Sequence, residues 1–224
     1  ESVTARVDKL LTDALVALPV STASPAKPRF NVVEASIPDM QKAMHERCTT
    51  SREIVEQYLL RIAMYEDKLN AIIAVNPNVL KEADERDRER AQGNVRGPLH
   101  GIPIALKDNI HTTDMPTTGG VLAFDAFVPP YEATVTKKLR EAGAIIIAKT
   151  QLMELSGMVA IFSLMPGGYN ALNGYGFNPY DPRRDPREAT ADGRPALDPS
   201  GSSSGTGTPA HFWAANIGTD TSGS

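Results

Sequence analysis

Three short segments of the sequence carry the residue types that nucleophilic catalysis needs. Lys107 follows the apolar run 102–106, a Gly/Ser loop spans residues 200–208, and the segment 218–224 reads GTDTSGS. A serine hydroxyl is a weak nucleophile near neutral pH and needs a base. A lysine can be that base when it is neutral, and burial favours the neutral form. Taken together, the three segments indicate a serine nucleophile activated by a buried lysine.

The apolar run before Lys107 can supply that burial. Lowering a lysine pKa from about 10.4 to about 7.5 costs roughly 4 kcal/mol, which a largely buried site can provide. Successive backbone N–H groups in the Gly/Ser terminus could stabilise an oxyanion. Histidine is the more usual base, but the four histidines are poorly placed, being His45, His100, His111 and His211.

The elements around Lys107 predict an α/β fold. Residues 102–106 and 144–150 are short apolar runs typical of buried strands. Between them, residues 132–142 have a helical pattern that Gly143 closes. A strand, a helix and a second strand in this order favour a mainly parallel sheet.

The residues before this unit are predicted to be helical. Residues 1–18 form an amphipathic helix, which the Pro-bearing linker attaches to the main body. Two further helices begin at capping boxes, Ser36 with Asp39 and Thr50 with Glu53. The charged residues of 80–92 predict a helix with a solvated face. From about residue 165 the chain becomes rich in turn formers. We therefore expect an N-terminal helix and linker (1–30) and one larger domain (31–224).

Composition excludes several classes of protein. The chain has 224 residues, 41% hydrophobic and 22% charged, with a net charge of −4, which does not suggest a general nucleic-acid-binding surface. A single cysteine, Cys48, excludes an internal disulfide framework. No apolar run approaches the roughly 20 residues of a membrane span. The compartment stays open between the cytoplasm and export after loss of an upstream signal.

Five segments in a fixed order identify a family resemblance. GPLHGIPIALKDNI, EAGAIIIAKTQLMEL, FNPYDPRRDP, SGSSSG and GTDTSGS resemble the amidase signature family, and the resemblance covers about residues 37–224. It implies the amidase signature fold, with a mixed, mainly parallel sheet flanked by helices. The implied reaction is hydrolysis of a carboxamide in a small molecule or peptide, without a metal or organic cofactor. A homodimer stays open.

The same resemblance implies a role for individual residues. Lys107 matches the catalytic base, Ser202 the proton-relaying serine with its cis peptide, and Ser224 the nucleophile that forms an acyl-enzyme. The backbone amides that match the oxyanion hole belong to Thr221, Ser222, Gly223 and Ser224. Ser156 falls where the family contacts substrate.

The chain also departs from the family pattern. Residues 185–198 are an extra polar segment, for which we favour a solvated loop. Ser202 and Ser224 lie two residues closer than is usual, which leaves Ser203 as a second candidate for the relay. Ser222 stands where Gly or Asp is common. Family members continue beyond the nucleophile to about twice this length, so the remaining sheet and pocket are expected outside this chain.

Several alternatives compete with this assignment. GSSSG at 201–205 also fits a nucleophile elbow with Ser203 as nucleophile, but it lacks the apolar strand before it and the histidine after it. His111, Asp114 and Asp108 do not complete a tetrahedral metal site. Two other functions remain: the glutamine-amidase subunit of a tRNA-dependent amidotransferase, and an inactive homologue that acts as a binding module.

Overall fold

The computed structural model describes residues 2–17, 30–157, 168–190, 192–197 and 204–219. In chain order its strands are β1 (Ile72–Val75), β2 (Pro103–Lys107), β3 (Ile145–Thr150), β4 (Tyr169–Asn170), β5 (Gly174–Tyr175) and β6 (Ala215–Ile217). Its α-helices are α1 (Val3–Ala17), α2 (Ile37–His45), α3 (Ser51–Leu69), α4 (Val79–Ala91), α5 (Thr134–Glu141) and α6 (Ser204–Gly207). Four strands form a mixed sheet in the order β1-β3-β2-β6, and β4 pairs with β5 in a separate hairpin.

The centre of the sheet is the predicted strand–helix–strand unit. β2 and β3 run parallel with α5 between them in the chain, and every residue of both strands is buried. Gly143 follows α5 with φ +85°, and a Cβ atom there would lie 2.7 Å from Nδ1 of His100. Only glycine combines this backbone conformation with such a close approach. The predicted α/β class is therefore confirmed.

Two strands of the sheet were not predicted. β1 pairs antiparallel with β3 at one side of the sheet, whereas β6 pairs parallel with β2 at the other. β1 has four residues and begins just after α3, whose C-cap Asn70 adopts a left-handed conformation. β6 has three residues, Ala215, Asn216 and Ile217. Such short segments carry too few side chains to show a strand period.

The helices cover the sheet much as their sequences predict. The capping boxes at Ser36 and Thr50 are both formed. One face of α3 is buried in the core, with Ile54, Val55, Tyr58, Leu59 and Ile62 all at 1% exposure or less. α1 packs against α3 and β1 through residues that include the fully buried Val7. None of the helices in the described part of the chain has the length and apolar character that crossing a bilayer requires.

The charged helix α4 does more than present a solvated face, which corrects the prediction for residues 80–92. Its Asp87 accepts hydrogen bonds from the backbone N–H groups of Ser51 and Arg52, at 2.7 and 3.0 Å. These donors belong to the first turn of α3, where backbone N–H groups lack helical partners. Asp84 binds Arg52 at 2.7 Å. Part of the charge run therefore joins two helices.

The described parts of the loop-rich region after residue 165 are held by local contacts and by hydrogen bonds to the core, such as those from the Asn70 side-chain amide to the carbonyls of Asn173 and Tyr175. The hairpin of β4 and β5 places the rings of Tyr169 and Tyr175 edge to face, with centroids 5.0 Å apart.

Within the predicted insert 185–198, the Asp185 N–H donates to the carbonyl of Arg194 at 2.9 Å. Ion pairs between Arg187 and Asp185 and between Arg194 and Asp192 accompany this contact, and the Asp185 side chain is only 4% exposed.

Candidate active site

Lys107 is the last residue of β2 and is fully buried. Its Nζ donates a hydrogen bond to the carbonyl oxygen of Thr219 at 3.4 Å. Asn109, two residues later, donates to the Thr219 hydroxyl at 2.9 Å. Both contacts hold Thr219 beside the end of β2. Thr219 immediately precedes residues 220–224, so the described part of the GTDTSGS segment ends beside the predicted base.

Strand pairing explains why these two parts of the sequence meet. Ile104 pairs with Ala215 and Leu106 pairs with Ile217 in the parallel register of β2 and β6. The carboxyl ends of parallel strands lie at one edge of a sheet, where α/β proteins commonly bind ligands. Lys107, the last residue of β2, and residues 218–219, which follow β6, therefore lie at the same edge of the sheet.

The end of the Gly/Ser loop also reaches β2. Helix α6 begins at Ser204 and contacts β2. A Cβ atom at Gly207 would lie 2.1 Å from the indole ring of Trp213, so a side chain at this position would clash. The indole N–H of Trp213 donates to the Thr208 hydroxyl at 2.9 Å. These contacts fix the chain that emerges from residues 201–203.

Most of the predicted site residues lie outside the described residues. These are Ser202, its alternative Ser203, and the terminal group Thr221, Ser222, Gly223 and Ser224. Ser156 belongs to the 3-10 turn Glu154–Gly157, but its side chain also falls outside what the structure describes. Of the proposed catalytic residues, only Lys107 has a described side chain. The roles of the others stay predictions.

The backbone near Ser156 is connected to the turn that follows Lys107. Leu155 N–H donates to the carbonyl of Gly119 at 2.9 Å. Thr118, the residue before Gly119, donates to Oδ2 of the buried Asp108 through its N–H at 2.8 Å and through its hydroxyl at 2.5 Å. The 3-10 turn that carries Ser156 therefore rests on a loop held by the neighbour of Lys107.

Sequence reasoning missed the buried lysine Lys149 on β3. Its Nζ lies 3.6 Å from Oδ1 of Asp108, and both side chains are fully buried. Burial raises the pKa of Asp108 and lowers the pKa of Lys149, and in each case the opposite charge of the partner counteracts the shift. The signal in the sequence is Lys149-Thr150 directly after the apolar run 144–148. It parallels Lys107-Asp108, which directly follows the apolar run 102–106.

Thr150 on β3 lies directly opposite Lys107 in the sheet. The two residues pair across β3 and β2, and Thr150 is fully buried. Its Oγ1 has no hydrogen-bond partner within the described part of the chain. Side chains paired in this way share one face of a sheet. A buried hydroxyl group therefore lies on the face of the sheet that carries Lys107.

Three of the four histidines make contacts that are structural in character. The ring of His100 is buried, and its Nε2 lies 2.9 Å from the carbonyl of Arg86. Burial lowers the pKa of His100. The ring of His111 packs on Tyr131 at 5.2 Å, and Nδ1 of His211 accepts the Glu34 N–H at 3.5 Å.

The alternative of a metal site finds no support in the described residues, which contain no group of three or more potential metal ligands. Asp114 instead binds Arg140 at 2.5 Å, and Asp108 binds Thr118. The alternative of a nucleophile elbow also lacks its preceding strand within residues 192–197, where Pro195 makes an isolated bridge with Arg184.

The structure has a mixed α/β core with a buried lysine at the end of a central parallel strand. The sequence adds the five ordered segments described above. The chain belongs to the Amidase family, whose model matches residues 53–224. It is similar to a protein named as a probable amidase in Arabidopsis thaliana, with 37% identity over 222 residues, 96% of this chain and 40% of that protein.

Two further similarities bear on function. A chloroplastic/mitochondrial glutamyl-tRNA(Gln) amidotransferase subunit of Vitis vinifera is 36% identical over 134 residues, 60% of this chain and 24% of that protein. The structure of native peptide amidase from Stenotrophomonas maltophilia is 39% identical with a TM-score of 0.66, covering 77% of this chain and 33% of that one. The chain therefore spans 40% or less of each of these relatives.

Proposed function

We propose that this chain carries the catalytic residues of an amidohydrolase that cleaves a carboxamide C–N bond through a serine acyl-enzyme. The observation that carries the proposal is the buried Lys107, hydrogen-bonded to Thr219 directly before the segment that ends at Ser224. Membership of the Amidase family supports the reaction class. Neutral Lys107 is the base, Ser202 is the proton relay, and Ser224 is the nucleophile.

In the first half of the reaction, Ser224 Oγ attacks the amide carbonyl carbon while its proton passes to Ser202, whose own proton passes to Lys107. The oxyanion accepts hydrogen bonds from backbone amides of residues 221–224, which are donors suited to this charge. The C–N bond then breaks, and Lys107 returns its proton through Ser202 to the leaving amine or ammonia.

In the second half, a water molecule attacks the acyl-enzyme ester while the same relay accepts its proton. The ester bond to Ser224 breaks, Ser224 regains a proton, and the carboxylic acid leaves. No step requires an external oxidant, reductant or cofactor. Burial of Lys107 supports this cycle because it favours the neutral amine that can accept the first proton.

The substrate that the similarities favour is a peptide or small-molecule amide. The test compares steady-state hydrolysis of an N-acetylated dipeptide amide by the protein at its natural length and by single variants. Lys107→Met and Ser224→Ala are each expected to lower kcat by about 10³-fold or more, since both remove a group on which bond formation depends. Ser203→Ala is the matched control, with an expected change below about 10-fold. A large loss for Ser203→Ala with retained activity for Ser224→Ala would overturn the assignment.

The second candidate function is the glutamine-amidase subunit of an amidotransferase, and the similarity to the amidotransferase protein of Vitis vinifera favours it. Its test is ammonia release from glutamine by the purified protein alone. Release that requires added partner subunits, together with no hydrolysis of peptide amides, would favour this candidate. A protein at natural length that forms no acyl-enzyme with any amide would instead favour the inactive binding module.

A further inference from the structure

Lys149 uses its whole hydrogen-bonding capacity on one loop. Its Nζ donates to the carbonyl of Asp108 at 3.2 Å, to the carbonyl of Pro116 at 3.0 Å and to the Thr117 hydroxyl at 2.9 Å. An ammonium group has three N–H donors, so these three acceptors account for all of them. All three acceptors belong to the 108–117 loop, which begins directly after Lys107.

The strand register places Lys149 on the face of the sheet opposite to Lys107. Leu106 pairs with Lys149, and Lys107 pairs with Thr150. Successive side chains of a strand point to opposite faces, so the Lys149 side chain lies with Leu106 and the Lys107 side chain lies with Thr150. Lys149 therefore contacts the turn after Lys107 from the opposite face of the sheet. The backbone of β2 separates it from the face that carries the Lys107 side chain.

Asp108 is held in this turn through its N–H, its carbonyl and Oδ2, whereas Oδ1 has no hydrogen-bond partner within the described residues. Its N–H donates to the Thr150 carbonyl at 3.2 Å, and its carbonyl accepts from Lys149. Its carboxylate faces Lys149 through Oδ1 and Thr118 through Oδ2. The Lys107 carbonyl in turn accepts the Ile110 N–H at 2.9 Å. The main chain on the C-terminal side of Lys107 is thus fixed by buried hydrogen bonds.

We propose that Lys149 is a positioning residue for the catalytic lysine. It holds the 108–117 loop against β3 and so fixes the orientation of Lys107 at the end of β2. The inference rests on the proposed role of Lys107 as the base. Fixing a reacting group this way matters because a displacement of about 1 Å can cost about 100-fold in rate.

The test measures activation of the serine independently of substrate. The protein at its natural length is inactivated with a fluorophosphonate, and the maximal inactivation rate and the half-saturating probe concentration are determined separately. The variants are Lys149→Met, the charge-balanced double variant Asp108→Asn/Lys149→Met, and Lys107→Met as the reference for loss of the base. Arg52→Met is the matched control, because Arg52 forms ion pairs with Glu56 and Asp84 on the helices.

We expect Lys149→Met to lower the maximal inactivation rate about 100-fold, with the half-saturating concentration within about 3-fold of wild type. Arg52→Met should change neither quantity. The double variant should recover thermal stability, because it buries no unpaired charge. Its inactivation rate should stay low, because methionine at position 149 cannot donate to the three acceptors of the 108–117 loop. It also tests the proposal if Lys149→Met alone does not fold.

Two results would overturn the inference: a wild-type inactivation rate in Lys149→Met, or recovery of rate together with stability in the double variant. The second result would mean that the pair only stabilises the fold. The Lys107→Met reference separates this failure from failure of the proposed function. If Lys107→Met reacts at the wild-type rate, the base assignment itself is wrong, whereas a slow Lys107→Met beside a fast Lys149→Met removes only the role of Lys149.

Discussion

Acidic and basic side chains meet in two contrasting regions of this molecule. Lys149 on β3 and Asp108, the residue directly after β2, are both fully buried. In the polar region after the hairpin, Arg183 binds Asp181 at 2.7 Å, and Arg194 binds Asp192 at 2.6 Å. These second pairs join residues two positions apart in the chain, and the Arg183 side chain is 80% exposed.

The two kinds of ion pair differ in how well the remaining charge is solvated when one partner is lost. Water can solvate a separated surface pair, so the pair adds little to stability. A buried carboxylate that loses its cation stays without a compensating charge, and the loss is severe. The buried pair also connects segments that are distant in sequence, and we propose that Lys149 positions Lys107 through this connection. The exposed pairs fix only their own turns.

The largest effect on stability is expected from Lys149→Met. It leaves the Asp108 carboxylate buried without a cation, so the free energy of unfolding should fall by about 4 kcal/mol. Urea denaturation monitored by tryptophan fluorescence measures this, since Trp213 is buried. Asp108→Asn/Lys149→Met should recover most of the loss. A single variant as stable as wild type would mean that the pair is not charged in the folded protein.

The next effect concerns Glu66, a buried carboxylate whose Oε1 accepts the Ile72 N–H at 2.8 Å. Burial raises the pKa of Glu66 to about 8. Between about pH 5 and pH 8 the folded state therefore binds more protons than the unfolded state, so stability falls as the pH rises through this window. The decline should be on the order of a few kcal/mol and should level off above about pH 8.

Glu66→Gln is the control for this decline, because its side-chain oxygen can still accept the Ile72 N–H but does not titrate. Denaturation of both proteins at about pH 5 and about pH 8 gives the comparison. Wild type should lose stability relative to the variant as the pH rises. An equal response of the two proteins would show that Glu66 titrates normally in the folded state.

A smaller loss of stability is expected when Arg140 is replaced, because its side chain is 25% exposed and thus between the buried and the exposed pairs. Its guanidinium contacts the carboxylates of Glu82, Asp114 and Glu132. Arg140→Met should therefore cost about 2 kcal/mol, since partial solvation moderates the repulsion left among three acids. Lys137→Met on the same helix removes an exposed contact to Glu141 at 4.0 Å and should leave the unfolding curve unchanged. Equal effects of both variants would contradict the dependence on burial.

The smallest effect is expected from the exposed region. The hydrogen bond from Arg183 lowers the pKa of Asp181 to about 2. Arg183→Ala should raise the pKa of Asp181 toward its ordinary value, which NMR titration measures, and should lower Tm at neutral pH by the smallest amount of this series, because solvent screens an exposed pair. A decrease of Tm as large as that of Arg140→Met would show that this surface pair contributes as buried pairs do.

The sequence predicted the parts of the fold that have strong local patterns. The apolar runs of β2 and β3, the helix between them and the capping boxes of α2 and α3 are all present. β1 and β6 could not be predicted, because four and three residues show no clear period and their pairing depends on distant strands. The contacts of Asp87 with α3 were missed for a related reason, since a charge run does not reveal its partner.

The candidate site was predictable where residue type and position suffice. Lys107 at the end of a buried strand follows from the apolar run before it, and the structure places it beside Thr219. Lys149 was missed because its role depends on strand register, which decides that its side chain faces the 108–117 loop behind Lys107. The presence of two strands can be predicted from a sequence more readily than their relative register.

The most direct test of the account is the site of covalent labelling by a fluorophosphonate. The protein at its natural length and its Lys107→Met variant are each treated with the probe, measured by intact-mass spectrometry, and mapped by peptide mass spectrometry. The account predicts one adduct on Ser224 in wild type and labelling of the variant that is slower by about 10³-fold or more. An adduct on Ser203, or equal labelling of Ser224 with and without Lys107, would contradict it.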